Sequence, residues 1–143
     1  MVTKVVSVQS ETTASEAASL MAHKRCSCLV VMKGDAAIGV VTERDMVRRI
    51  LAIHVDPSKV FVSDVMSAPI ITVGPKATIV EAAEKMSEYL VRRLVVVDET
   101  GSIVGLITAS DIAKLLAKTK AYSDSVLNAM ARMRKDGTGG PYE

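Results

Sequence analysis

The chain repeats itself. Val5–Lys33 lies over Ile70–Asp98 at an offset of 65, and nine of the 29 pairs are identical, among them Val8/Val73, Thr13/Thr78, Glu16/Glu81, Met21/Met86 and Leu29-Val30-Val31/Leu94-Val95-Val96. Ile38–Asp45 lies over Val104–Asp111 at an offset of 66 and keeps Gly39/Gly105, Thr42/Thr108 and Asp45/Asp111. The one extra residue falls where both copies read as a turn, Lys33-Gly34-Asp35 and Glu99-Thr100-Gly101, and turns absorb insertions at little cost. A unit of about 50 residues is too small to cover both faces of its own sheet. Two copies packed back to back solve that problem, so the duplication predicts a pseudo-two-fold pair with a crevice between the repeats.

Each copy spells the same order of elements. A short strand (Val5–Val8; Ile70–Val73) leads into a helix whose start fits a capping box, Thr13 with Glu16 and Thr78 with Glu81. Behind it runs an apolar stripe at helical spacing, Ala17, Ala18, Met21 and Ala82, Ala83, Met86. Two strands follow across a tight turn: Leu29–Met32 with Ile38–Val41, then Leu94–Val97 with Ile103–Ile107. These runs are continuous and β-branched, which predicts burial on both faces. A last helix starts at Thr42 or Thr108. The fold class expected is α+β, two β-α-β-β-α repeats spanning 1–54 and 65–118, with 55–64 as linker. An additional C-terminal helix is expected within 119–136, over Ser125–Arg134 with Val126, Leu127, Met130 and Met133 on one stripe, followed by a loose tail at 137–143.

Composition excludes several classes. With 49% hydrophobic residues the chain has too much apolar surface to be disordered. The longest uncharged run, Val65–Pro75, has 11 residues, where a membrane span needs about 20. Met1–Ser10 has no basic-then-apolar leader pattern, so a cytoplasmic protein is expected. A net charge of +2 and 3% aromatics argue against a nucleic-acid partner. His23, Cys26 and Cys28 supply too few ligands for a metal centre, and Cys26 reads as a small buried side chain. No Ser/His/Asp arrangement or paired glutamates suggest catalysis.

The chemistry concentrates in the repeated Gly-x-x-Thr-x-x-Asp, Gly39 to Asp45 and Gly105 to Asp111. It sets a strand end against a helix start. Thr at the cap and Asp three residues on can serve the helix alone, since the hydroxyl accepts from free backbone N–H groups and the carboxylate suits the positive end of the dipole. The same carboxylate can accept from both hydroxyls of a ribose cis-diol, while Thr and nearby N–H groups hold sugar or phosphate oxygens. Gly lets a ligand or another backbone approach. Asp repels phosphate, so a cation is required. Arg92 and Arg93 stand just before the strand Leu94–Val97, where the first copy has Ser27 and Cys28. Strand alternation sends the pair to opposite faces, so one of them faces the crevice. Arg44 lies inside the first motif where the second has Ser110, so the copies are chemically unequal.

The chain resembles the CBS domain, present twice as in a Bateman module. Asp64-Val65-Met66-Ser67, Val91-Arg92-Arg93-Leu94-Val95-Val96-Val97-Asp98 and the two Gly-x-x-Thr-x-x-Asp motifs carry the resemblance over Met1–Ala117. It implies clefts between paired repeats that take adenosine compounds: AMP, ADP, ATP, S-adenosylmethionine or NAD-type dinucleotides, as regulatory ligands rather than required cofactors. By position it implies that Asp45 and Asp111 bind ribose, that Thr42, Thr108 and Ser110 hold ribose or phosphate, and that Arg92 faces phosphate. Arg44 joins the same candidate set. Val6, Ile71, Cys26 and Val91 would frame an adenine. The resemblance also implies a non-catalytic sensor and a homodimer, and from the length of the chain the ligand state is expected to be read by another, effector protein or across the dimer. The alternative is a scaffold with degenerate clefts that bind nothing. Because only the second copy adds Arg92, Asp111 is expected to matter more to binding than Asp45.

Overall fold

The structure, a computed structural model, describes residues 4–119 and 129–132. It divides into two compact units, Val5–Ile70, and Lys4 with the described residues from Ile71 onward. The expected C-terminal helix Ser125–Arg134 and the tail Gly137–Glu143 lie outside the described residues, apart from four helical residues at 129–132.

In the first unit β1 (Ser7–Gln9) leads to α1 (Ala14–Lys24), β2 (Cys28–Lys33) and β3 (Ala36–Thr42), then α2 (Glu43–Met46), a π-helical turn (Val47–Leu51) and α3 (Val62–Val65). In the second, β4 (Thr72–Val73) leads to α4 (Ile79–Tyr89), β5 (Arg93–Val97), β6 (Ile103–Thr108) and α5 (Ala109–Thr119). Each unit holds a three-stranded sheet, β1-β2-β3 and β4-β5-β6, whose first pair is parallel and second antiparallel. The β-α-β-β-α order is therefore present twice.

The copies agree in their irregularities as well as their elements. Register shifts fall between Val31 and Met32 and between Val96 and Val97, the same step at the offset of 65. Such a bulge bends the strand and increases its twist. The first helix of each unit, α1 and α4, ends on a non-glycine residue in the left-handed region, Arg25 (φ 54°) and Leu90 (φ 55°). Each cap donates its N–H to the methionine four residues back, Met21 or Met86, which satisfies a terminal carbonyl. The capping boxes differ. Thr78 and Glu81 exchange both bonds, whereas Thr13 accepts from Glu16 N without a returned bond among the described residues.

The middle strand is the centre of each core. Leu29, Val30 and Val31 are fully buried, and so, within a few per cent, are Leu94, Val95 and Val96. Burying one such side chain contributes about 1.5–3 kcal/mol. Val40 and Val41 are buried beside them. β6 is not: Ile103, Val104, Leu106 and Ile107 are only half-buried, so the expected two-faced burial holds at Leu29–Val31, Val40–Val41 and Leu94–Val96 but not at Met32 or Ile38 or along β6.

Residues 55–64, read from the sequence as a linker, belong to the first unit together with 65–70. The reason is packing. Val62 and Val65 sit in the same buried cluster as Ala17, Met21 and Ile50. Ala14 N donates to Val60 O and Val62 N to Thr12 O, at 2.9 and 2.8 Å. Ser67 pairs with Val40 in both directions, Val40 N to Ser67 O at 3.0 Å and Ser67 N to Val40 O at 2.8 Å.

Candidate functional site

Both Thr–Asp motifs form the expected corner between a strand end and a helix start. Thr42 N donates to Asp45 Oδ2 at 2.9 Å, and Asp45 N to Thr42 Oγ1 at 3.1 Å. Thr108 N donates to Asp111 Oδ2 at 3.0 Å, and Asp111 N to Thr108 Oγ1 at 3.1 Å. The short aspartate thus does the work that Glu does in the common box. The residue after each Thr also donates to the chain before the middle strand: Glu43 N to Ser27 O at 3.0 Å, Ala109 N to Arg92 O at 2.9 Å. That bond ties the 27–28 or 92–93 segment to the helix start. Cys28 stands opposite Thr42 in the ladder, and Arg93 opposite Thr108. The second corner therefore brings Arg92 and Arg93 to Thr108 and Asp111, where the first brings Ser27 and Cys28. Both arginines are half-buried and engaged in interactions of their own.

The corners diverge at the carboxylate. Asp45 is buried along with Thr42 and Ser67. Its second oxygen, Oδ1, accepts from Ser67 Oγ at 3.2 Å and lies 3.9 Å from Arg49 Nε. Burial raises the Asp45 carboxyl above the ordinary aspartate value, against the lowering effect of Thr42, Arg49 and Ser67. The Arg49 Nη1 group also donates to the carbonyls of Val65 (3.0 Å) and Met66 (2.6 Å). Met66 and Ser67 lie directly over Gly39, where a Cβ would stand 2.5 Å from Met66 Sδ and 2.8 Å from Ser67 O. What approaches Gly39 is the Met66 side chain and the Ser67 backbone of the same unit. Asp111, by contrast, is half-buried, and its Oδ1 has no hydrogen-bond partner among the described residues.

The remaining candidates fall in varied surroundings. Ser110 is exposed, and Arg44 is half-buried and engaged. Val6 and Ile71 are half-buried, and their carbonyls accept from Val30 N and Val95 N, each at 3.0 Å. Cys26 packs half-buried against the core, whereas Val91 is wholly buried. Sequence reasoning did not find Arg49 or Ser67. Neither position repeats as a like residue in the second copy, and no local spacing links either to Asp45 beyond the i,i+4 step of Arg49. An open concavity of about 720 Å³ lies at the far end of β4 and β5, lined by Gly74, Pro75, Lys76, Ala77, Glu81, Asp98, Glu99 and Thr100. None of the candidate ligand residues lines it. Two of its three acidic groups serve the fold: Glu81 caps α4, and Asp98 Oδ1 accepts from Thr100 and Ser102, which holds the Asp98 carboxyl below its ordinary value. Among the described residues no cluster of His, Cys, Asp and Glu suits a metal, and no helix is long and apolar enough to cross a membrane.

A sequence model of the CBS domain matches residues 1–52 and 62–118. The chain belongs to the CBS-domain family. An uncharacterized protein of Methanopyrus kandleri is 34% identical over 105 residues, which are 73% of this chain and 54% of that protein. Inosine-5'-monophosphate dehydrogenase of Korarchaeum cryptofilum is 36% identical over 108 residues, 76% of this chain and 21% of the enzyme. The chain thus spans about half of the first relative and a fifth of the second. A crystal structure of a conserved CBS-domain protein of unknown function from Thermoplasma acidophilum superposes with a TM-score of 0.74 over 94% of this chain and 73% of that one, at 24% identity. That likeness shows the fold: a tandem pair of CBS repeats.

Proposed function

We propose that this tandem CBS pair is a non-catalytic regulatory module that binds an adenosine-containing ligand at the Thr108–Asp111 corner. CBS domains are regulatory modules that often bind such ligands. The observation that carries the reading is the composition of that corner: a half-buried aspartate whose Oδ1 has no hydrogen-bond partner among the described residues, beside the chain segment that bears Arg92 and Arg93. The carboxylate suits a cis-diol, and a guanidinium suits phosphate through paired N–H donors. The ligand acts by population shift, favouring the arrangement it binds best, and a protein partner or a second copy of the chain reads that change. Self-association is supported by exposed apolar side chains in each unit, Val47, Leu51 and Ile53 in one and Tyr89, Leu90 and Leu115 in the other. Native mass spectrometry measures that assembly and any retained ligand together.

The test is titration of AMP, ATP, S-adenosylmethionine and NADH by calorimetry. At least one of them binds, and Asp111→Ala weakens it more than Asp45→Ala does. Silence from all four at millimolar concentration favours the scaffold reading. Equal losses from the two substitutions refute the ranking.

A further inference from the structure

We infer that the first corner is closed by a strap of the chain itself, so that each chain takes one ligand and not two. The inference rests on the proposed function and deepens it by assigning stoichiometry. The strap is Val65–Ser67. It is sewn to β3 by the two Val40–Ser67 backbone bonds and held from the other side by Arg49, which donates to the Val65 and Met66 carbonyls. The Ser67 hydroxyl donates to Asp45 Oδ1, the bond a ribose hydroxyl would make. The other oxygen, Oδ2, is held by Thr42 N. Asp45 and Ser67 are 4% and 2% exposed, and the open space that Gly39 would offer is filled by Met66 and Ser67. A sugar can reach Asp45 only by breaking the serine bond and lifting backbone off the sheet edge. Its hydroxyl would gain no bond that serine does not already make, so exchange offers little gain and requires loss of the strap pairing.

Two measurements test this on the full chain. Amide hydrogen exchange without ligand reads the strap directly: Val40 and Ser67 exchange within tenfold of Val30 in the β2 ladder, and a larger gap overturns closure. Calorimetry with AMP reads stoichiometry. One AMP binds per chain, Asp111→Asn removes all of the binding, and Ser67→Ala, which deletes the strap's hydroxyl while leaving the Asp45 carboxylate, leaves the count at one. Two AMP per chain, or half of the binding surviving Asp111→Asn, overturns the inference. If AMP, ATP, S-adenosylmethionine and NADH all fail to bind, the proposed function falls and the exchange result alone decides the strap.

Discussion

The Thr42–Asp45 and Thr108–Asp111 corners share a motif, a capping geometry and a place in the fold, yet their carboxylates live differently. Asp45 is buried and bonded at both oxygens. Asp111 is half-buried and, among the described residues, bonded at one. The capping bonds are nearly the same length in both, so the motif itself makes a helix start. What distinguishes the two helix starts is the segment that the rest of the chain lays beside each. In the first unit that segment is the strap, and in the second it is the arginine pair.

The contrast can be broken by stability measurements. Asp45→Ala leaves a buried serine hydroxyl and a buried backbone N–H without their acceptor, at a cost of about 3 kcal/mol. Asp111→Ala removes a cap at a half-buried site and costs about 1 kcal/mol. Urea denaturation compares them, and equal losses would mean that the corners are not structurally distinct. Gly39→Ala sharpens the point at the strap. The added methyl meets Ser67 O and Met66 Sδ below 3.0 Å, so the strap or strand must move, costing about 2 kcal/mol in the same assay. The smallest expected effect is in pH dependence. The Asp45 carboxyl is raised in the folded state by burial, so the folded chain binds that proton more tightly than the unfolded one. Its contribution to stability is full below the ordinary aspartate value and is lost as pH rises through the raised one. Asp45→Asn removes this slope. Urea midpoints of wild type minus variant therefore fall with rising pH across that window, and a flat or rising difference contradicts the buried charge.

The duplication made most of the fold legible. Identities such as Thr13/Thr78 and Leu29/Leu94 are local signals of caps and buried strands, and they fell in the elements expected of them. The Thr–Asp corners were legible for the same reason, since a cap is set by residues three apart. Two kinds of feature were not. The turn into the left-handed region after α1 and α4 is made by Arg25 and Leu90, where no glycine announces it. The closure of the first corner depends on Ser67 meeting Asp45 across 22 positions, a contact that tertiary packing sets and local spacing cannot. Asp64-Val65-Met66-Ser67 reads as the prelude to the second repeat, and the second CBS match, from residue 62, includes it; by packing the stretch lies with the first unit.

That placement has a practical corollary for anyone dividing the molecule. A fragment ending at residue 54 would lose the partner of Val40, both carbonyls that Arg49 grips and the hydroxyl on Asp45. An autonomous first half has to run through Ile70, and scissors applied at the apparent seam in the sequence would cut away part of the very piece they were meant to isolate.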